Sequence, residues 1–84
     1  MIIANGQSEY LKLNRGLTKV YVYYAGGASG TLTPSVSKRQ GELIPVEVDG
    51  AATITGSTAF IVEGDGLLSF SASGVSGSIT VETD

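Results

Sequence analysis

Residues Thr18–Ala25 read TKVYVYYA, and their alternation decides the fold. Val20, Val22 and Tyr24 fall on one side, and Lys19, Tyr21 and Tyr23 on the other. Period-two patterning in β-branched and aromatic residues marks a strand with one face on a core.

The same reading extends in both directions. Upstream, Arg15-Gly16 is a turn, and Ser8–Asn14 (SEYLKLN) sets Leu11 and Leu13 against Lys12 and Asn14. Downstream, Ala25–Gly30 (AGGASG) is a flexible loop or wide turn, and Thr31–Ser37 is a strand. Pro34 lacks an N–H, so that strand is expected at an edge or a bulge. Lys38–Gly41 is a polar connection, and Glu42–Val48 (ELIPVEV) is a further strand that Pro45 again demotes to an edge or bulge. Asp49-Gly50 is a strong hairpin signal, with Ala51–Thr55 as the returning strand. Gly56-Ser57, Gly64-Asp65-Gly66 and Gly74–Gly77 then separate Thr58–Glu63, Leu67–Ser73 and Ser78–Thr83.

Gly occurs 12 times in 84 residues, at intervals too short for an ordinary helix. Seven or eight short strands with turns between them predict an all-β chain, a small antiparallel β-sandwich or barrel in a single domain over residues 1–84. No connection is long enough for a parallel crossover. The expected core is Leu11, Leu13, Val20, Val22, Leu32, Val36, Ile44, Val46, Val48, Ile54, Phe60, Val62, Leu68, Phe70, Ile79 and Val81. A chain of this size buries only about 60 % of the surface it exposes when unfolded, so help from neighbouring copies is expected.

The chain has no Cys and no His. Disulfides, thiolate chemistry, Cys/His zinc sites and imidazole acid–base catalysis are excluded on that ground. Residues 1–7 have neither the basic start nor the apolar stretch of a signal peptide, and no run approaches the length of a membrane span. Met1 at the start is what a complete small gene product would show. A net charge of −3 argues against nucleic acid as a partner. The charge is uneven along the chain. All five cations lie in residues 1–46 with Glu9 and Glu42, whereas residues 47–84 hold six acids and no cation. Such a split is either an accident of a small sample or the basis of complementary patches.

Glu47, Asp49, Glu63 and Asp65 are the only candidates for a carboxylate pair. Asp49 and Asp65 adjoin glycines in turns, where Asp serves the backbone, and no calcium-loop pattern surrounds them. The Gly-rich Ala25–Gly30 has no Lys-Ser/Thr and no helix after it, so it is not a phosphate cradle. No catalytic residue, cofactor or metal ligand is expected. Tyr21 and Tyr23 project opposite Val20 and Val22, either as a half-covered second face or as a contact patch. Lys38-Arg39 is a solvated turn or an anchor for an acidic surface. The Ser- and Gly-rich outward positions of Leu67–Ile79 suit close approach by another chain.

Met1–Gln7, the Tyr-rich strand followed by Gly26-Gly27-Ala28-Ser29-Gly30, and the run from Thr53 to Val81 together give the chain a resemblance. It resembles small virion structural proteins of tailed bacteriophages, most of all capsid decoration (cement) proteins. The resemblance implies a non-enzymatic β-rich module made in the host cytoplasm and carried on the capsid surface of the virion. Its implied partners are the major capsid protein and copies of itself, as a trimer on the shell. It also implies an N-terminal arm over residues 1–7, with Ile2 and Ile3 joining Tyr21, Tyr23, Lys38 and Arg39 as contact residues. The other readings are a tail, neck or fibre component, such as a small adaptor or host-surface binding module, or a sugar-binding module or small enzyme; the lack of Trp, His and any cleft-sized segment weighs against the last pair.

Overall fold

A computed structural model describes residues 1–37, 44–45 and 53–84. They form two antiparallel sheets with no helix among them. The strands are β1 (Gly6–Gln7), β2 (Leu11–Leu13), β3 (Leu17–Tyr24), β4 (Ser29–Ser37), β5 (Ile44–Pro45), β6 (Thr58–Glu63), β7 (Gly66–Ser76) and β8 (Ile79–Thr83). One sheet runs β1-β7-β4-β5, with β2 also on β7; the other runs β6-β3-β8. Of the expected all-β sandwich or barrel, the two packed sheets form the sandwich.

The core lies between the sheets. Leu13, Leu32, Leu68, Phe70 and Ala72 enter it from the first sheet, and Val20, Val22, Phe60, Val62, Ile79 and Val81 from the second. Phe60 and Phe70 meet edge to face across the interior, ring centroids 6.4 Å apart. That geometry sets the positive ring edge against a negative ring face. Leu11 and Val36 are only half-buried against the cluster. Ile3 joins the core at 3 % exposure, a position the alternation of the strands did not point to. The side chains of Ile44, Val46 and Val48 and the Asp49-Gly50 hairpin lie outside the described residues.

The expected strand over Ser8–Asn14 is broken for a local reason. β1 and β2 follow one another along β7, but the register slips by one residue between Gln7↔Ser71 and Leu11↔Leu68. Ser8 fills the slip. Its amide donates to the Phe70 carbonyl at 2.8 Å, and its hydroxyl accepts the Phe70 amide at 2.8 Å. The Ser8 side chain thus takes the place of its own carbonyl in the ladder, and that carbonyl accepts the Ser69 hydroxyl instead.

Pro34 sits in a strand with neighbours on both sides, β7 and β5, so it is not at the extreme edge. Leu32 exchanges both backbone bonds with Ile54. Backbone groups alternate sides along a strand, so residue 34 faces the same way as residue 32. The missing N–H therefore falls on the side of β4 away from β7 and leaves the ladder to β7 whole. The expected bulge is present nearby, as a register shift between Ser29 and Thr31. Gly66 is required where three strands converge. Its φ is +142°, and a Cβ there would lie 2.7 Å from the Ser37 carbonyl oxygen.

Candidate functional site

The outer face of the β6-β3-β8 sheet follows directly from strand alternation. Val20, Val22, Phe60, Val62, Ile79 and Val81 point inward, so Leu17, Lys19, Tyr21 and Tyr23 of β3 point outward. Register places Glu63, Ile61 and Ala59 of β6 beside Leu17, Lys19 and Tyr21. On the other flank Glu82 and Thr80 of β8 lie beside Tyr21 and Tyr23. Met1–Ile3 continues this sheet: Ile2 bridges Thr80, and the Val81 amide donates to the Met1 carbonyl at 2.8 Å.

Ile2, Leu17, Tyr21, Tyr23 and Ile61 are the exposed large apolar side chains among the described residues, and all five lie on this face. Their exposures run from 43 % for Tyr21 to 76 % for Ile2. Apolar positions scattered singly over a surface are ordinary; apolar positions gathered on one sheet face mark a contact surface. The Lys19 ammonium lies 5.3 Å from the Tyr21 ring centroid, where it meets the negative ring face.

Tyr24, the inward-turned member of the tyrosine strand, has a different role. Its hydroxyl donates to the Gly30 carbonyl at 2.9 Å, with the Ile54 carbonyl at 3.3 Å. It thereby ties β3 of one sheet to β4 of the other. Burial pushes its phenol above the ordinary tyrosine range, because the anion would lose water.

The face opposite is chemically unlike. Thr31, Thr33 and Ser35 of β4 pair with Ser73, Ser71 and Ser69 of β7, a lattice of hydroxyls. Ser69 is covered by Gln7, whose amide donates to its hydroxyl, and by Ser8.

The sequence-predicted contact residues separate in the structure. Ile2, Tyr21 and Tyr23 come together on the apolar face. Ile3 is in the core and offers no contact surface. Residues 1–7 are stitched to the sandwich at both ends, Met1–Ile3 to β8 and Gly6–Gln7 to β7, with the Asn5 side chain accepting the Val75 amide at 2.9 Å. They cross between the sheets instead of projecting as an arm. A pocket of about 350 Å³ lies along this crossing, lined by Met1, Ile2, Asn5 and Glu9 among others. Lys38 and Arg39 lie outside the described residues. Leu17 and Ile61 were missed, although Ile61 carried a signal: it is apolar at an outward position of TAFIVE.

Glu47 and Asp49 lie outside the described residues, and no group of three metal-ligating side chains occurs among the described ones. The charge split along the chain does not become two patches here, because β3, with Lys19, lies between β6 and β8, with Glu63 and Glu82. The Ala25–Gly30 segment closes as a hydrogen-bonded turn, the Ala28 amide donating to the Ala25 carbonyl at 2.8 Å. No family model, curated protein or solved structure matches the chain.

Proposed function

We propose that this chain is a non-enzymatic structural protein that binds the outside of a bacteriophage capsid and stabilises the shell. The observation that supports docking is the gathering of Ile2, Leu17, Tyr21, Tyr23 and Ile61 on one sheet face. The choice of a capsid as the partner rests on the resemblance of the sequence to decoration proteins. Tyrosine suits such a surface because its ring buries apolar area while its hydroxyl stays hydrogen-bonded. Each copy needs only a modest affinity, since many copies act on one shell.

Two measurements test this reading. Quantitative mass spectrometry of purified particles gives the copy number: a count near that of the major capsid subunit is expected, whereas a small count points to the tail or neck. Replacing both tyrosines (Tyr21→Ala with Tyr23→Ala) is expected to weaken shell binding at least tenfold, as truncation of interface aromatics does, while the fold survives. Unchanged binding would remove the face from the mechanism.

A further inference from the structure

Among the described residues, the β6-β3-β8 sheet has one flank closed and one open. Met1–Ile3 covers the outer side of β8. Among the described residues nothing pairs with the outer side of β6. The direction of its backbone groups follows from bonds elsewhere in the sheet. Lys19 donates its amide to the Asp84 side chain, and its carbonyl accepts the Asp84 amide, so residue 19 faces β8. Alternation then turns Thr18, Val20 and Val22 toward β6, where they meet Val62, Phe60 and Thr58. The Gly64 amide bonded to the Gly16 carbonyl extends the same phase. Ala59, Ile61 and Glu63 therefore aim their N–H and C=O groups outward, six groups in a row.

Natural edge strands are blunted by brevity, Pro, charged side chains (Lys above all) or a bulge. The short strand β2 follows that rule, with three residues and Lys12 at its centre. β6 is six residues, TAFIVE, with no Pro, no Lys and no bulge, and its one charge, Glu63, stands at its end. We infer that β6 pairs antiparallel with β6 of a second copy of this chain, joining two three-stranded sheets into one across a two-fold axis.

The segment is self-complementary in one register. With Ile61 opposite Ile61 of the second copy, Ala59 falls opposite Glu63 and Glu63 opposite Ala59. All six outward groups are then satisfied. The inward side matches too, since Phe60 falls opposite Val62, continuing both cores. No two like charges face each other, and the paired isoleucines make the exposed apolar faces continuous. This is a two-fold arrangement, not the trimer that the resemblance implies, and it does not rest on the capsid reading.

Sedimentation of the full chain over a wide concentration range tests it, with hydrogen exchange at both extremes. A species of twice the 8.6 kDa chain mass is expected. Protection of the Ala59, Ile61 and Glu63 amides should rise with concentration, while the Phe60 and Val62 amides, already bonded to β3, stay constant. The variant Ile61→Glu sets a carboxylate beside Lys19 within the chain but against its own copy across the joint. It should weaken self-association roughly tenfold or more while the fold persists. Tyr21→Ala with Tyr23→Ala should leave self-association unchanged, which separates this joint from shell docking. A single-chain mass at every concentration, a threefold species, a dimer indifferent to Ile61→Glu, or flat exchange at residues 59, 61 and 63 would each overturn the inference. Should Ile61→Glu not fold, exchange in the unaltered chain decides alone.

Discussion

Strands β3 and β7 are the central strands of the two sheets, and each turns one side to the same core. Val20 and Val22 do this from β3; Leu68, Phe70 and Ala72 do it from β7. Their other sides diverge. β3 shows Leu17, Tyr21 and Tyr23, whereas β7 shows Ser71 and Ser73 against the threonines of β4. Burial constrains one side of each strand in the same way, because an unpaired polar group there would cost free energy. The outward side carries no such constraint, so a chain that puts tyrosines and isoleucines there on one sheet and serines on the other has made the two faces fit for different company.

The contrast can be broken first at the core both faces share. Phe70→Ala removes a fully buried ring and its contact with Phe60, and should cost about 3–5 kcal/mol in chemical denaturation. That is a large part of the ~5–15 kcal/mol typical of a domain, and both faces should melt together. A loss below about 1 kcal/mol would mean that the two sheets do not lean on one interior.

A smaller effect is expected on the hydroxyl-bearing sheet alone. Gly66→Ala forces a positive φ on alanine and drives its Cβ into the Ser37 carbonyl, for a loss of about 1–3 kcal/mol. Gly64→Ala shares the positive φ but meets open space, so its denaturation midpoint should fall less. Equal midpoints would contradict the convergence of β2, β4 and β7 at Gly66.

The link between the sheets comes next. Tyr24→Phe deletes the hydroxyl held by Gly30 and Ile54 and should cost about 1 kcal/mol. The folded phenol titrates higher than the unfolded one, so its contribution is full below about pH 10 and is lost as pH rises through the folded value. Thermal melts of Tyr24→Phe should therefore fall less steeply than those of the unaltered chain on the alkaline side. Identical slopes would separate Tyr24 from alkaline unfolding.

The smallest expected effect sharpens the contrast most. Thr33→Ala with Ser71→Ala, on the hydroxyl face, should move stability by no more than about 0.5 kcal/mol per site and leave particle binding unchanged. Loss of binding from this pair would make the hydroxyl lattice, not the tyrosine face, the docking surface.

Much of the sandwich was legible because alternation is local. Thr58–Glu63 has the bounds expected of it, β3 begins one residue earlier and ends one sooner, and the core residues of both strands face as read. The site was half legible for the same reason: Tyr21 and Tyr23 stand out in sequence, and Ile61 breaks a pattern visible in its own strand. Ile3 and Ser8 were not legible. Ile3 is buried only because its segment lies against β8, some 76 residues away in the chain, where its amide meets the Ile79 carbonyl. Ser8 interrupts a well-patterned segment because its hydroxyl competes with its own carbonyl for the Phe70 amide.

By itself, then, the order of residues determined most of the strands, to within a few residues at their ends, and which side of each carries the apolar load. Both depend on neighbours two residues apart and on glycines between them. Tertiary structure alone decided which strands share a sheet, which edge stays open among the described residues, and that Ile2, Leu17 and Ile61 join the tyrosines on one surface. Those outcomes depend on pairing between segments distant in the chain, where Ser-, Thr- and Gly-rich strands specify partners weakly and the shared core makes the choice.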